Sequence, residues 1–278
     1  RETLSVQVHP GDSYARAREG EPFGKAEVWY ILDVEPQSSL IHGLNRSLTR
    51  AAAQHAIETG KLREVLEHVH VSPGDVIMNM PGTIHALGEG LLLYELQQSS
   101  DLTYRLYDWD RRDPNRPLHI EKSLDVAHLE PYAAHKVEPV EMAEEGGTRA
   151  LLCACQHFAA ELLTVRSRLS ELPAGACFHV LTVLQGTGRL LYGARSEHEV
   201  ELRAGESLLV PAAVQAYELQ AAGESLQVIK AYVPDLLNDI LVPLRQRGIP
   251  EAKIVQLGGE PKYSDLGPPA QASEPPFP

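Results

Sequence analysis

Four side chains of metal-ligating type stand in strand-like runs of this chain. Gln7 and His9 belong to Ser5-Val6-Gln7-Val8-His9-Pro10, Glu27 to Gly24-Lys25-Ala26-Glu27-Val28-Trp29-Tyr30-Ile31-Leu32, and His85 closes the run from Gly74 through Pro81-Gly82. Alternate residues of an extended strand share a face, so Ser5, Gln7 and His9 point one way, and Lys25 and Glu27 form a second polar pair. Two imidazoles, a carboxylate and an amide oxygen make a mixed donor set that suits zinc and also accepts manganese, iron or cobalt. Buried charge is costly unless it is paired or bound to a metal, and Glu27 and Lys25 sit among Val28, Trp29 and Ile31. Taken singly, each of these residues also reads as the solvent-facing position of a half-buried strand. Together they predict one shared cation site, provided the strands are neighbours in a small barrel.

The elements that must position them are mostly strands. Val71-Ser72-Pro73-Gly74-Asp75 is a turn signature ahead of the strand that leads to His85, and Gly88 and Gly90 mark the exit before the apolar run 91–96. Between the second and third runs, residues 36–45 read as a connection. An alanine-rich stretch follows, with Asn45 or Ser47 as N-cap and Gly60 as stop, and predicts a helix over 46–60. Leu62, Val65 and Leu66 predict a second helix over 61–67. His55 and His68 are then solvated helix histidines, while His70 lies nearer the site. Residues 126–149 read as a solvated crossover. Strands separated by Gly-containing turns recur from 150 to 235, at the spacing of a sandwich or barrel. Residues 236–248 suggest a short helix, and 258–278 a loosely ordered tail rich in Pro, Gly, Ser and Glu.

With 278 residues the chain has room for two small domains. A net charge of -13 argues against a nucleic-acid surface but not against a phosphorylated ligand, because local Lys and Arg set the field of a cleft. No apolar run reaches spanning length and no signal-peptide pattern stands out, so a soluble cytoplasmic protein, with no membrane partner, is expected. Cys153, Cys155 and Cys177 lack paired CxxC spacing and read as reduced, mostly buried thiols.

An ordered set of segments resembles the type I mannose-6-phosphate isomerases of the cupin superfamily. They are residues 4–12 (LSVQVHPGD), 24–32 (GKAEVWYIL), 81–88 (PGTIHALG) and 94–111 (YELQQSSDLTYRLYDWDR). The resemblance implies a mainly β protein of two cupin-type β-barrel (jelly-roll) domains. The first, 1–125, binds the metal and carries a helical insertion near 46–67; the crossover 126–149 leads to a second, metal-free domain at 150–235 and an extension at 236–278. It implies one zinc ion per chain on Gln7, His9, Glu27 and His85, with other divalent metals possible. Lys25 matches an active-site lysine, Ser5 a hydroxyl near the substrate phosphate, and Glu95 and Arg105 an acid and an arginine at the edge of the site. By itself Arg105 reads more simply as the partner of Asp101, Asp108 or Asp110; the match of its segment moves it to the active site.

In that family a further segment precedes the first strand, so this chain is expected to be the C-terminal part of a longer polypeptide. In its second half, the positions where a metal-binding cupin places histidines hold only His179 and Gln215, and His179 reads as a bonded core residue. The implied reaction interconverts mannose 6-phosphate and fructose 6-phosphate through an enediolate, by a monomer or homodimer whose partner is the sugar phosphate. Glu95, Lys25, a histidine and metal-bound water all stay open as the base. A non-catalytic sugar-phosphate-binding cupin is the alternative from another class. An iron-dependent cupin oxygenase fits less well, since Lys25 and Arg105 suit an anionic sugar.

Overall fold

The computed structural model describes residues 3–111, 113–172 and 177–267. The chain divides into two compact units, one ending at Val137 and one beginning at Glu138. Each is built from antiparallel sheets, as the alternating runs require.

The first unit contains β1 (Val6–Val8), β2 (Glu27–Val34), β3 (Ser39–Leu44), β4 (Leu66–His70), β5 (Val76–Asn79), β6 (His85–Leu87), β7 (Leu91–Gln97) and β8 (Tyr104–Tyr107). Five of these form a sheet in the order β4-β3-β6-β1-β8, and three form another in the order β5-β2-β7. The period of two sorts the larger sheet into two faces. Val6, Val8, Ile41, Ala86 and Leu106 join one core, packed beneath α1 (Arg50–Glu58) and α2 (Ile120–Val126) through Ala53, Ile57 and Leu124. The opposite face contributes Leu40 and Val69 to a second core with Trp29, Ile31 and Ile77 of the smaller sheet. The functional side chains stand on this second face, between the sheets.

Several expected elements differ. The helix over 46–60 is confined to Arg50–Glu58, because Thr49, not Ser47 or Asn45, accepts the capping bond from Ala52 N, while Leu48 is tied to the Leu129 carbonyl. Gly60 does end it, in the left-handed region at φ 70°. Residues 61–67 hold one tight turn, Leu62–Glu64, before Leu66 enters β4. His68 and His70 are therefore exposed strand residues, and His70 does not line the site. Residues 39–44, read as connection, form β3. The stretch 126–149 is not a solvated linker: Tyr132 and Val137 are buried in the first unit, and Val140–Glu144 is a strand of the second.

That second unit comprises β9 (Val140–Glu144), β10 (Gly147–Ala154), β11 (Ala159–Val165), β12 (Arg168–Glu171), β13 (His179–Gln185), β14 (Thr187–Tyr192), β15 (His198–Arg203), β16 (Ser207–Val210), β17 (Tyr217–Ala221) and β18 (Leu226–Tyr232). The sheet orders are β16-β13-β18-β11-β10-β9 and β12-β17-β14-β15. A shared core of Leu163, Leu181 and Val228 with Leu169, Leu190 and Leu219 joins them. Helices α3 (Val242–Gln246) and α4 (Glu251–Gln256) follow, burying Leu244 and Ile254. The expected tail is ordered as far as Gly267, with Leu266 buried; its remainder, 268–278, lies outside the described residues. Cys153 and Cys155 are buried, and burial pushes the Cys155 thiol up to about 12. No described helix is long and apolar enough to cross a membrane.

Candidate metal centre and substrate face

Strand register assembles the site from residues far apart in the chain. His42 lies opposite His85, His85 opposite Gln7, and Gln7 opposite Arg105, so a row of four polar side chains crosses β3, β6, β1 and β8 on one face. His9, two residues beyond Gln7, shares that face. From the smaller sheet, Glu27 meets them at the start of β2. Two glycines permit this approach. A Cβ on Gly24 would stand 2.4 Å from the Pro10 carbonyl oxygen, so only glycine lets the Lys25–Glu27 segment lie against His9-Pro10. Gly82, at φ +90°, turns the chain into His85, and a Cβ there would meet His128 Nε2 at 2.5 Å.

The hydrogen bonds fix both histidine tautomers. His9 Nδ1 donates to the Leu102 carbonyl at 2.8 Å and His85 Nδ1 to the Thr83 carbonyl at 2.8 Å, since a carbonyl only accepts. Each ring therefore presents a bare Nε2 lone pair to the site, because the carbonyl at Nδ1 holds the ring's one proton on the far side. His9 Nε2 stands 3.1 Å from Glu27 Oε1, and His85 Nε2 3.6 Å from Glu27 Oε2. Ligand atoms of the three residues all lie within 4.8 Å of one another, and all three are buried. This is the one such group of histidine, cysteine and acidic residues among the described residues. The Gln7 amide nitrogen is 3.2 Å from His85 Nε2, and a half-turn of that amide places its oxygen there instead.

Lone pairs facing a carboxylate repel one another unless something positive lies between them. His9 Nε2 and Glu27 Oε2 are buried without a hydrogen-bond partner, and both are atoms able to ligate a cation. Two imidazole nitrogens, one carboxylate and an available amide oxygen match the preferences of zinc and of neighbouring first-row divalent ions. Burial alone would raise the Glu27 carboxyl; the His9 contact and the positive charge that gathers round it in acid, Lys25 included, outweigh it and hold the group well below the usual carboxylate range. Burial lowers His85 to about 4. At neutral pH the carboxylate is ionised and this imidazole neutral, the ligating forms of both.

Cationic groups surround this donor set. Lys25 Nζ lies 3.0 Å from Glu27 Oε1. Arg105 donates through Nε to Ser5 Oγ at 3.0 Å and through Nη1 to the Pro117 carbonyl at 3.0 Å. None of Asp101, Asp108 and Asp110 is bonded to it; Asp108 instead accepts from Arg111 and Arg116. Arg116 also donates to Ser5 Oγ at 3.0 Å, so two guanidinium groups share one hydroxyl. With both lone pairs of Oγ used, the Ser5 proton is left to donate outward. Glu95, at the exposed edge of the smaller sheet, accepts from Trp29 Nε1 at 3.1 Å. Crowding by neighbours, and then the charge of Glu27, raise its carboxyl above the ordinary value.

Register sets Gln7, His85 and Arg105 on one face of the larger sheet; Ser5 is bonded to Arg105, His9 and Lys25 lie against Glu27, and Glu95 is reached through Trp29, but the structure adds residues that sequence reasoning passed over. His42 is fully buried, donates through Nε2 to the Met78 carbonyl, and accepts at Nδ1 from His135. Arg116 reaches Ser5 from outside the resembling segments. Asn79 faces Glu27 directly across β2 and β5. The signal for Asn79 was a lone amide inside the apolar run Val76-Ile77-Met78. In the second unit His179 is bonded to Tyr217 at 2.8 Å and Gln215 is exposed, and neither joins a group of potential metal ligands.

No protein-family model matches the chain. It is similar to the mannose-6-phosphate isomerase of Bacillus subtilis strain 168, with 35% identity over 226 residues that span 80% of this chain and 70% of that protein. A mannose-6-phosphate isomerase of Streptococcus mutans is 31% identical over 232 residues, which span 82% of this chain and 70% of the relative. Among solved structures, that of a mannose 6-phosphate isomerase from Bacillus subtilis superposes with a TM-score of 0.73 at 28% identity, covering 83% of this chain and 72% of its own.

Proposed function

The chain belongs to the mannose-6-phosphate isomerase family, and we propose that it interconverts mannose 6-phosphate and fructose 6-phosphate by proton transfer between adjacent carbons through an enediolate. The observation that carries this reading is a buried set of two histidines, a carboxylate and an amide near Lys25, Arg105 and Ser5. An aldose-ketose interconversion needs a base for a carbon-bound proton, stabilisation of negative charge on the sugar oxygens, and an anchor for the phosphate.

We assign the metal to Gln7, His9, Glu27 and His85; a zinc ion held there would supply Lewis acidity to the sugar oxygens and a template for their orientation. Lys25, cationic beside Glu27, donates to the same oxygens. Arg105 presents a planar fork braced by Ser5 and Pro117, which orients an anion without losing its own charge. The outward proton of Ser5 donates to a phosphate oxygen. Glu95 is the group we assign to the proton transfer, because a carboxyl raised from its ordinary value is a better acceptor of a carbon-bound proton. The reading carries with it a second, cupin-type unit without a metal, and a cytoplasmic setting for a phosphorylated sugar that does not cross bilayers unaided.

A coupled isomerase assay on chelator-treated and zinc-restored protein tests the proposal. Turnover of mannose 6-phosphate lost with the chelator and regained with zinc is expected. Folded protein with stoichiometric zinc that fails to convert the substrate would overturn it.

A further inference from the structure

Among the buried polar atoms beside Glu27, the amide of Asn79 is unusual. The residue is 1% exposed, and neither Nδ2 nor Oδ1 has a hydrogen-bond partner. Leaving a buried amide unbonded costs stability, so native proteins rarely tolerate it without a role. Its place is equally informative. Asn79 ends β5 directly opposite Glu27, and residues opposite each other in an antiparallel pair project to the same side. It therefore projects to the side of the smaller sheet that carries Glu27, whose Oε2 is likewise without a partner.

The chemistry of an amide narrows what completes it. A cation could take the lone pairs of Oδ1 but would leave Nδ2 bare. Donation from Nδ2 to Glu27 would leave Oδ1 bare. One small group that both donates and accepts satisfies the two atoms together, and that group is a hydroxyl-type oxygen. We infer that Asn79 is a positioning residue of the site, holding through its amide the oxygen that sits at the cation, either a water or a sugar hydroxyl. This rests on the proposed isomerase reading for the sugar but not for the water.

The test uses the full chain loaded with cobalt(II), whose visible spectrum reports the ligand field, and Asn79→Leu, which keeps the size of the side chain and removes both polar atoms. Metal stoichiometry is measured alongside, and binding of mannitol 6-phosphate, a reduced substrate that does not turn over, is followed by calorimetry. With metal content unchanged, an altered spectrum in the substrate-free variant supports the inference and identifies water. An unaltered spectrum with affinity for mannitol 6-phosphate at least tenfold weaker supports it and identifies the sugar hydroxyl. Wild-type spectrum and wild-type affinity together overturn it. If the wild-type chain does not bind mannitol 6-phosphate, the isomerase reading falls; the substrate-free spectrum then decides alone, a change supporting the role of Asn79 and no change overturning it. Should Asn79→Leu fail to fold, Asn79→Ala, which removes the amide without filling its place, is read by the same two measurements.

Discussion

Each unit places a polar cluster on the face where its two sheets meet, but the two clusters are balanced differently. In the second unit Arg149 is bonded to Glu144, Glu161 and Glu171, Lys230 to Glu161 at 2.9 Å and Glu171 at 2.6 Å, and the Tyr232 hydroxyl to Glu161 at 2.7 Å. One buried and one half-buried cation answer two buried carboxylates, with Glu161 and Lys230 opposite each other in register. A cavity of about 280 Å³ opens beside them, and Arg149, Glu161, Glu171 and Lys230 in its lining are already bonded to one another. In the first unit the corresponding atoms are lone pairs turned toward each other, with a carboxylate oxygen, an imidazole nitrogen and an amide left bare. A cluster that satisfies itself stabilises or specifies a fold; one that does not is waiting for something from outside. This difference, more than the presence of polar residues in a core, separates the two faces.

The contrast is broken most directly by removing one member from each cluster. For His85→Ala we expect bound zinc to fall from one per chain toward none and turnover to drop to background, read by metal analysis and the coupled assay; retained stoichiometric metal would remove His85 from the ligand set. Lys230→Met should do the reverse, leaving metal content alone while lowering stability by about 3–5 kcal/mol, since it strands buried carboxylates. Denaturant unfolding measures it, and a neutral result would mean that the ions are not interdependent. For Arg105→Ala a loss of roughly 10²–10³ in kcat/KM is expected, as for other charge-stabilising donors, with the unfolding midpoint little changed. An unaltered rate with lowered stability would make Arg105 a tie between Ser5 and Pro117.

Acid separates the units more gently. Burial, together with the nearby His135 and His85, holds His42 at about 3 against an ordinary 6.5, so the unfolded chain binds a proton that the folded chain refuses. The first unit, freed of metal, therefore loses stability as pH falls below about 6.5 and continues to lose it toward pH 3, by up to about 1.4 kcal/mol per pH unit for each such group. Glu161 behaves oppositely in sign of charge. Burial would raise it, but Lys230 and Arg149 hold it at about 2, so its contribution is complete above pH 4.5 and fades only as pH falls toward 2. The second unit holds one histidine that burial lowers in the same way, His179 at about 4, against His42 and His85 in the first, so hydrogen exchange resolved by peptide should show the metal-free first unit opening at a higher pH than the second. The opposite order would sink the comparison.

Much of the site was legible because its residues obey the strand period. Ser5, Gln7 and His9 share a face by spacing alone, and Glu27 and Lys25 stand out as charges in an apolar run. His85 entered the same set as the histidine beyond the Pro81-Gly82 turn, and the resemblance moved Arg105 away from its neighbouring aspartates, none of which is bonded to it. What escaped depends on register, which is not local. Asn79 looks like one slip in a hydrophobic strand until β5 is laid against β2. His42 hid in a segment whose Gly43 and Asn45 suggest a loop, although Ser39–Leu44 is a strand. Arg149, Glu161, Glu171 and Lys230 lie on four strands, and each alone reads as an ordinary surface charge. Helix ends were misplaced for a related reason, since the bond from Leu48 N to the Leu129 carbonyl is tertiary and overrides the local capping signals of Ser47 and Asn45.

Trp29 is a core residue and a hydrogen-bond donor. Its ring also stands edge-on to His85, with centroids 5.4 Å apart, while its Nε1 is bonded to Glu95. The indole thus touches a residue from the cation side of the cleft and one from the proposed proton-transfer side. Its emission is then a built-in optical gauge: occupancy of the site alters the imidazole at one edge, and protonation of the carboxyl alters the partner at the other. The chain contains one other tryptophan, Trp109, whose Nε1 is bonded to the Leu4 carbonyl. Trp109→Phe would leave a single tryptophan, excited at the red edge apart from the tyrosines, to report loading and titration of the cleft without a label.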